Sequence, residues 1–372
     1  FKGETSATEL FDTRLCFGAR LGPAWFHRIS QSVGRMMDKR GYKVIIYIDD
    51  FLIIEESYEK CHEAQLTLIK LLIALGFAIS WHKVLGPSKT VPFLGILIDT
   101  SSSMLYLEDH KIAKLNEKLL AFRSKKRANK RQLQSLAGSL NWACQAVVGG
   151  RFFLRRILDV IKSLKDSHHK CKLTSSFNKD LDWWISFIEM FNGKVFYRNC
   201  PTYVVHTDSS KAAAGMFCGG DWQYIHWKLD FPQYHELHIN YKEVLAVLLS
   251  ANRWGHMWQG AVGTDSVVAK AIINKGTCKN QTVMDALRRL FWVQVKYDFR
   301  LHAIHFPGLL NQLPDSISRL HEPGQILRLQ ALINNWFNSF YAWDSIHWHN
   351  HMSNSALQVI KPRLKQWNLW RN

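Results

Sequence analysis

The spacing of apolar positions changes along this chain, and each change predicts a new element. Residues 24–41, AWFHRISQSVGRMMDKRG, repeat at helical period and stop at Gly41, the pattern of an amphipathic helix. KVIIY and FLIIE follow as two short strands that meet at an acidic pair, Asp49 and Asp50. YEKCHEAQLTLIKLLIALG returns to helical period and closes at Gly76, and PFLGILID predicts one further strand. From His110 to Val148 the period is helical throughout. Beyond residue 200 the order becomes strand, strand, strand, helix, strand, helix, helix, strand, helix. TYVVHTD, AAGMFCG and WQYIHWK are the first three strands, and INYKEVLAVLLSANRWGHMW is the helix after them. AVGTDSVV and LHAIHFPG are the later strands, so the order implies a mixed α/β layer. Residues 323–372 are rich in Trp and His, with helical period near LRLQALINNWF. No internal repeat or low-complexity tract interrupts these patterns.

Composition narrows the class. A chain of 372 residues predicts more than one domain. Its 48 Lys and Arg against 30 Asp and Glu leave a formal charge of +18, which favours a polyphosphate partner. Fifteen Trp and 21 Phe offer surfaces on which bases can stack, although most such rings belong to cores. The seven Cys are widely spaced with no CxxC pair, which points to a reduced, intracellular protein, cytoplasmic or nuclear. No apolar run reaches the roughly 18–20 residues of a membrane span, and no signal-peptide core follows the first residue, Phe1. The absence of an initiator Met suggests a fragment of a longer chain. No GxGxxG, P-loop or nucleophile elbow is present, which argues against dinucleotide, Walker-type and hydrolase-triad chemistry.

Two acidic constellations carry the candidate chemistry. A tight hairpin turn accounts for Tyr47-Ile48-Asp49-Asp50 taken alone, since Asp is favoured in turns. Its neighbours alter that reading: LCFGARLGPAWF lies upstream and VPFLGILIDT downstream, with Lys83 between. In that order the segments, about residues 11–100, resemble the palm of retroelement reverse transcriptases, the DIRS-type and gypsy-type group in particular. Cys16 stands where the family usually has Pro, and Gly22 where it has Ala. The resemblance implies that Asp49 and Asp50 hold two Mg²⁺ ions, or Mn²⁺, for nucleotide addition. Oxygen ligands suit such ions, and two ions about 3.5–4 Å apart can steady both ends of the displacement. It further implies that Phe17, Gly18 and Pro23 shape the template and dNTP pocket, with Tyr47 and Lys83 near the primer. The family's third carboxylate lies on an earlier strand, and no acid among residues 1–15 ends an apolar strand. RNA-strand hydrolysis, by the second constellation below, is therefore the activity expected of this chain, and DNA synthesis that of a longer parent.

The second constellation comprises Asp208 and Asp265 at strand ends, Glu243 early in a helix, and Asp315 near a helix start. Each has an ordinary explanation. Asn240 with Glu243 makes a capping box, Asp315 suits a helix N-terminus, and the others suit turns. Together, with HFPGLLNQLPDSISRL, they resemble a retroelement ribonuclease H domain over about residues 201–320. Pro314 stands where Ala is usual, and TDS at 264–266 replaces TDN or TDH. The resemblance implies that Asp208, Glu243, Asp265 and Asp315 bind two Mg²⁺ ions and cleave RNA in an RNA/DNA hybrid. Ser209, Ser210 or Asn311 would sense the 2′-hydroxyl.

Lys125, Lys126, Arg127, Lys130 and Arg131 form a basic cluster, read either as a solvated face or as phosphate contacts. His168, His169 and Cys171, and the alternating His347, His349 and His351, are incomplete zinc ligand sets.

The expected organisation is multidomain, α/β and α+β. A partial palm spans 1–100, a helical thumb or connection 101–200, a ribonuclease H-like mixed sheet 201–322, and an extension 323–372. Expected partners are RNA template, DNA primer, RNA/DNA hybrid, dNTPs and other element-encoded segments, without a membrane. The competing readings are a decayed or domesticated relic that only binds nucleic acid, and a sequence-independent single-strand binder.

Overall fold

A computed structural model describes residues 15, 18–196, 204–258, 261–264 and 266–338. The chain divides into two compact units, Phe1–Glu108 and Asp109–Asn372.

In the first unit, α1 (Gly22–Asp38) carries Pro23 in its opening turn, where a missing N–H leaves no bond unmade. β1 (Lys43–Tyr47) and β2 (Asp50–Ile54) form an antiparallel hairpin with Tyr47 opposite Asp50. α2 (Tyr58–Ala74) is capped by Ser57, whose hydroxyl accepts from the Lys60 N–H. β3 (Thr90–Phe93), β4 (Ile96–Asp99) and β5 (Met104–Leu107) follow as an antiparallel meander. The single strand expected at PFLGILID is thus two strands. Leu94 and Gly95 have φ of 51° and 81°, so both occupy the left-handed region that a two-residue type I′ turn demands. Gly95 adopts it freely and Leu94 under strain, which is why the break is half hidden in the sequence.

The core of this unit is Val33, Met37, Leu68 and Leu72, with Val44, Phe51 and Ile53 packed against it. Gly34 sets the distance between α1 and the hairpin. A Cβ there would lie 2.6 Å from Ile46 Cδ1, so the bare position lets the helix settle on β1.

The second unit opens with α3 (Asp109–Arg123), β6 (Arg127–Asn129) and α4 (Lys130–Ala143). The continuous helical period expected from 110 to 148 is therefore interrupted. Asn129 and Gln132 form a reciprocal capping box that starts α4 anew, and β6 pairs with β7 (Lys170–Lys172). Between them lies α5 (Arg155–Ser163); after them come α6 (Ser175–Phe187) and the short β8 (Lys194–Val195).

The strands β9 (Val204–Ser209), β10 (Ala213–Cys218) and β11 (Asp221–His226) form an antiparallel meander. Next come α7 (Trp227–Asp230), α8 (Ile239–Trp254), β12 (Ala261–Thr264) and α9 (Val267–Lys275). α10 (Gln281–Lys296), β13 (His302–His305), α11 (Gln312–Ser318) and α12 (Gln325–Asn338) complete the described elements. The sheet order is β11-β10-β9-β12-β13, with β12 parallel to both β9 and β13. The mixed α/β layer read from the sequence is the architecture found.

α8 buries Val244, Leu245, Ala246, Val247 and Ala251, so its apolar run is nearly unbroken rather than striped. The helical segment and the sheet layer of this unit share aromatic contacts. The Phe153 and Trp183 rings stack with centroids 4.2 Å apart, and Phe291 of α10 meets both edge-on. Beside them Asp180, fully buried, accepts from Arg156 Nη1 at 2.6 Å and from the Arg156 N–H at 3.0 Å, with Arg288 3.7 Å away. Burial pushes the Asp180 carboxyl up, and the Arg288 and Arg156 guanidiniums oppose that shift.

Candidate functional site

The first acidic pair sits where its hairpin projects it. Ile48 and Asp49 form the two-residue loop, and Asp49 and Asp50 are both exposed. Ile48 has φ of 54°, a conformation costly for a β-branched residue, so something must hold the turn. α1 provides the support. The Ile48 N–H donates to His27 Nδ1 at 3.2 Å, and Gln31 Nε2 donates to the Ile46 carbonyl at 3.4 Å. His27, Gln31 and Gly34 thus fix the hairpin tip, a role that sequence reading missed. Their signal was present: helical spacing puts 27, 31 and 34 on one stripe.

Among the other residues assigned to this constellation, Gly18 has a φ of 89°, Tyr47 is half exposed, and Lys83 is exposed on a 3₁₀ turn, Trp81–Lys83. Phe17 lies outside the described residues.

The second constellation forms at one end of the mixed sheet. Asp208 is the penultimate residue of β9 and is 7% exposed. Glu243 stands in the second turn of α8 and is 4% exposed. The capping-box reading of Glu243 is not what the helix shows. His238 is the N-cap, its Nδ1 accepting from the Asn240 N–H, because the helix begins one residue before Asn240. Glu243 instead turns toward the sheet. Its Oε1 accepts from the Ser209 N–H at 2.9 Å, and its Oε2 from Thr264 Oγ1 at 3.4 Å. The residue bonded to Glu243 is thus the one that follows Asp208, so both carboxylates converge on the C-terminal end of β9.

Asp315 reaches the neighbourhood through α11. The Ser318 hydroxyl donates to Asp208 Oδ2 at 2.5 Å and lies 3.0 Å from the Asp315 carbonyl. Asp315 Oδ1 accepts from Arg319 Nε at 2.8 Å and Oδ2 from Arg328 Nη1 at 3.0 Å. α11 can lie so close because Gly215, directly opposite Asp208 in the β9–β10 register, has no side chain. A Cβ on Gly215 would meet the Pro314 carbonyl oxygen at 2.2 Å and the Ser318 nitrogen at 2.4 Å. A Gly inside a strand signals close approach, but nothing local tells which segment approaches. Ser318 and Arg319 were legible only as positions three and four residues after Asp315.

Asp265 lies outside the described residues. Among the described residues, no three His, Cys, Asp or Glu side chains group so that they could hold a metal ion. The donors present are carboxylate oxygens, the chemistry that Mg²⁺ and Mn²⁺ take, and Asp208 with Glu243 supplies the buried pair.

The hydroxyls considered for 2′-hydroxyl sensing are engaged within the fold. Ser209 Oγ accepts from Trp227 Nε1 at 3.2 Å, and Ser210 Oγ donates to the Ala213 or Ser318 carbonyl, each at 3.1 Å. Asn311, 1% exposed, donates to the Thr207 carbonyl at 3.0 Å and so ties the start of α11 to β9.

In the basic cluster, Lys125, Lys126, Arg127 and Arg131 are exposed. Lys130 is committed elsewhere, its ammonium donating to the Leu164 and Lys165 carbonyls at 2.7 and 3.0 Å. His168 and His169 are exposed, and Cys171 Sγ donates to the Ala128 carbonyl at 3.6 Å. His347, His349 and His351 lie outside the described residues.

Comparison with known proteins bears on the first of these sites. Residues 1–98 match the family model described as reverse transcriptase (RNA-dependent DNA polymerase). No curated protein matches the chain. Among solved structures, the foamy viral protease-reverse transcriptase in complex with an RNA/DNA hybrid is similar, with TM-score 0.45 and 15% identity, over 78% of this chain and 39% of that one. The same enzyme with dsDNA gives TM-score 0.44 and 14% identity, over 78% and 60%. Its dRH form with ds DNA gives 0.42 and 14%, over 77% and 49%. The chain therefore spans 39–60% of the structures it is compared with.

Proposed function

We propose that this chain, which carries a reverse transcriptase domain at residues 1–98, also hydrolyses the RNA strand of an RNA/DNA hybrid at a second, separate acidic site. The observation that carries the hydrolytic reading is that two buried carboxylates are held at the end of β9, Asp208 on the strand itself and Glu243 bonded to the N–H of the next residue, Ser209, with α11 brought onto the same strand end through Gly215. Buried carboxylates are costly unless compensated, and a hard cation compensates them directly.

Asp208 and Glu243 would hold the ion, with Asp265 and Asp315 as the further acids the sequence pattern supplies. Bound Mg²⁺ would provide an activated water and charge stabilisation at the departing 3′-oxygen. The chain's own residues do the positioning. The Ser209 N–H and Thr264 hydroxyl orient Glu243, Ser318 orients Asp208, and Arg319 with Arg328 orients Asp315. The +18 charge draws the hybrid backbone to the protein, and exposed Lys125, Lys126, Arg127 and Arg131 can contribute phosphate contacts. At the other site, Asp49 and Asp50 are the acids proposed for RNA-directed DNA synthesis from dNTPs, presented by a hairpin braced from α1. A DIRS-type or gypsy-type retroelement is the proposed origin, on the motifs quoted from the sequence.

The test is cleavage of a labelled RNA/DNA hybrid with Mg²⁺ by the full chain beside Asp208→Asn. The variant is expected to lose at least about a hundredfold in rate, since removing one ligand carboxylate strips charge stabilisation from the step. Equal rates in the two proteins would end the hydrolytic reading. Binding of the hybrid without any Asp208-dependent cleavage would leave a nucleic-acid binder instead. Primer extension on an RNA template by the wild type and by Asp49→Asn tests the polymerase assignment separately.

A further inference from the structure

A cavity of about 210 Å³ opens in the second unit, between the turn before α5, the end of α9, α10 and the start of β13. It is distinct from the acid site. His302, at the start of β13, lines it, whereas Asp208 follows Thr207, which is level with His305 through β12. Three residues of strand separate those levels, roughly 10 Å.

Its lining is chemically one-sided. Arg151, Lys194, Lys275 and Arg300 contribute four cationic side chains, and no Asp or Glu lines it. Two of these walls face each other directly, for a Cβ on Gly276 would lie 3.5 Å from Arg151 Cβ and 3.3 Å from the Phe152 ring. Helix α9 also ends here, and its C-terminal carbonyls repel anions with about half a charge. The Arg151 and Lys275 cations outweigh that, and the Ile272 and Ile273 carbonyls already accept from the Gly276 N–H. Phe152, Ile273, Leu290, Phe291 and Leu301 supply an apolar wall, beside the polar Asn274, Gln294 and His302.

The walls are fixed in advance. Asn274 bonds Ala303 reciprocally, its Nδ2 donating to the carbonyl and its Oδ1 accepting from the N–H, both at 2.8 Å. Gln294 Oε1 accepts from the Leu301 N–H at 2.9 Å, and Arg288 Nε donates to the Phe152 carbonyl at 3.2 Å. A prebuilt site loses little free energy to ordering when it binds.

We infer that this cavity binds a nucleotide, with its phosphate on the Arg151–Lys275 rim and its base against the apolar wall at Phe152. A cationic rim alone would suit any anion; the apolar wall selects one with a flat hydrophobic part. The volume lies below the roughly 300–1,000 Å³ of drug-sized pockets, so no more than one nucleotide can enter. That nucleotide is either free in solution or splayed from a single strand.

Calorimetric titration of the full chain separates the two sources, with ATP in one arm and single-stranded oligodeoxythymidylate in the other. Arg151→Glu/Lys275→Glu is compared with Lys179→Glu/Lys228→Glu, a pair of equal charge change; all four positions are exposed. Should the reversal pair melt early, Arg151→Gln/Lys275→Gln carries the same comparison. The cavity pair is expected to weaken one or both ligands at least about tenfold more than the control pair, as losing charge-assisted phosphate bonds would. Selective loss with ATP identifies a free nucleotide; loss confined to the oligonucleotide identifies a strand residue. Equal weakening by both pairs, or no binding of either ligand, overturns the inference. Asp208→Asn is expected to bind both ligands as the wild type does, so this inference and the hydrolytic reading fail independently. Loss of binding in that variant would move the ligand to the acid site.

Discussion

Gly215→Ala places one methyl group where α11 meets the sheet, and its consequences can be worked from distances. The new Cβ would lie 2.2 Å from the Pro314 carbonyl oxygen, 2.4 Å from the Ser318 nitrogen and 2.8 Å from Ile317 Cβ. The first two are backbone atoms, so no rotamer change relieves the clash, and α11 must withdraw by about 1 Å to restore ordinary contact. Overpacking of this kind costs about 1–3 kcal/mol. The Ser318–Asp208 hydrogen bond, 2.5 Å long, would stretch toward the limit of bonding. A bond to a charged acceptor contributes about 1.5–3 kcal/mol, so a total near 3 kcal/mol is expected. In a unit of this size that corresponds to a melting temperature lower by roughly 6–12 °C. Gly138→Ala is the matched control, since Gly138 lies inside α4 with open space at its Cβ. There the same substitution removes backbone entropy from the unfolded chain and stabilises by about 0.5–1 kcal/mol. Thermal melts of the three proteins, followed by hybrid-cleavage assays, give the answer. If Gly215→Ala melts with the wild type and retains Asp208-dependent cleavage, the close seating of α11 is not what places Ser318.

Asp180→Asn removes the buried charge shared by Arg156 and Arg288, leaving them only the more exposed Asp285 among the described residues, so a loss of about 3–5 kcal/mol in urea denaturation is expected; a loss below about 1 kcal/mol would show that Asp285 and water suffice for the two arginines. Asn129→Ala deletes half of the capping box that restarts the chain as α4, with an expected cost of about 1 kcal/mol, and unchanged stability would mean that the β6–β7 pairing alone sets the break. His226 is held below its ordinary value of 6.5, by burial first and by His321 next, with Asp230 opposing. The unfolded chain therefore takes up its proton first, and stability should fall as pH drops through about 6.5, levelling off below the folded pKa. His226→Asn should flatten that part of the melting-temperature profile, and an unchanged slope would assign the effect to other groups.

Much of this architecture follows from local pattern. The strand order beyond residue 200, the Tyr47–Asp50 hairpin and the burial of α8 each rest on spacing or on unbroken apolar runs, which adjacent residues display by themselves. The misreadings fell where two local signals competed. The helical period across residues 110–148 outweighed the Asn129–Gln132 box inside it, and the apolar run through Leu94 concealed a turn that Gly95 alone announced. Neither error needed a distant residue to correct it.

The organisation around the acids is another matter. Asp208 and Glu243 could be named from the sequence because, taken in order with Asp265, Asp315 and the HFPGLLNQLPDSISRL segment, they resemble a known pattern, although each alone has an ordinary explanation. What positions them could not, because it lies in Ser318, 110 residues from Asp208, and in the N–H of Ser209, which no side chain advertises. Gly215 is the extreme case, acting by lacking atoms that would collide with α11. A sequence motif therefore records the groups that do chemistry, while the residues that set their distances are recorded as small side chains and backbone donors. The two kinds of residue should respond differently to substitution. Asp208→Asn should abolish cleavage and leave the melt nearly unchanged, since the amide oxygen still accepts from Ser318 while a buried charge is removed. Replacing Gly215 should lower both together. A Gly215 variant that lost cleavage at full thermal stability would contradict that separation, because the methyl group can reach the acids only by displacing the helix that carries Ser318.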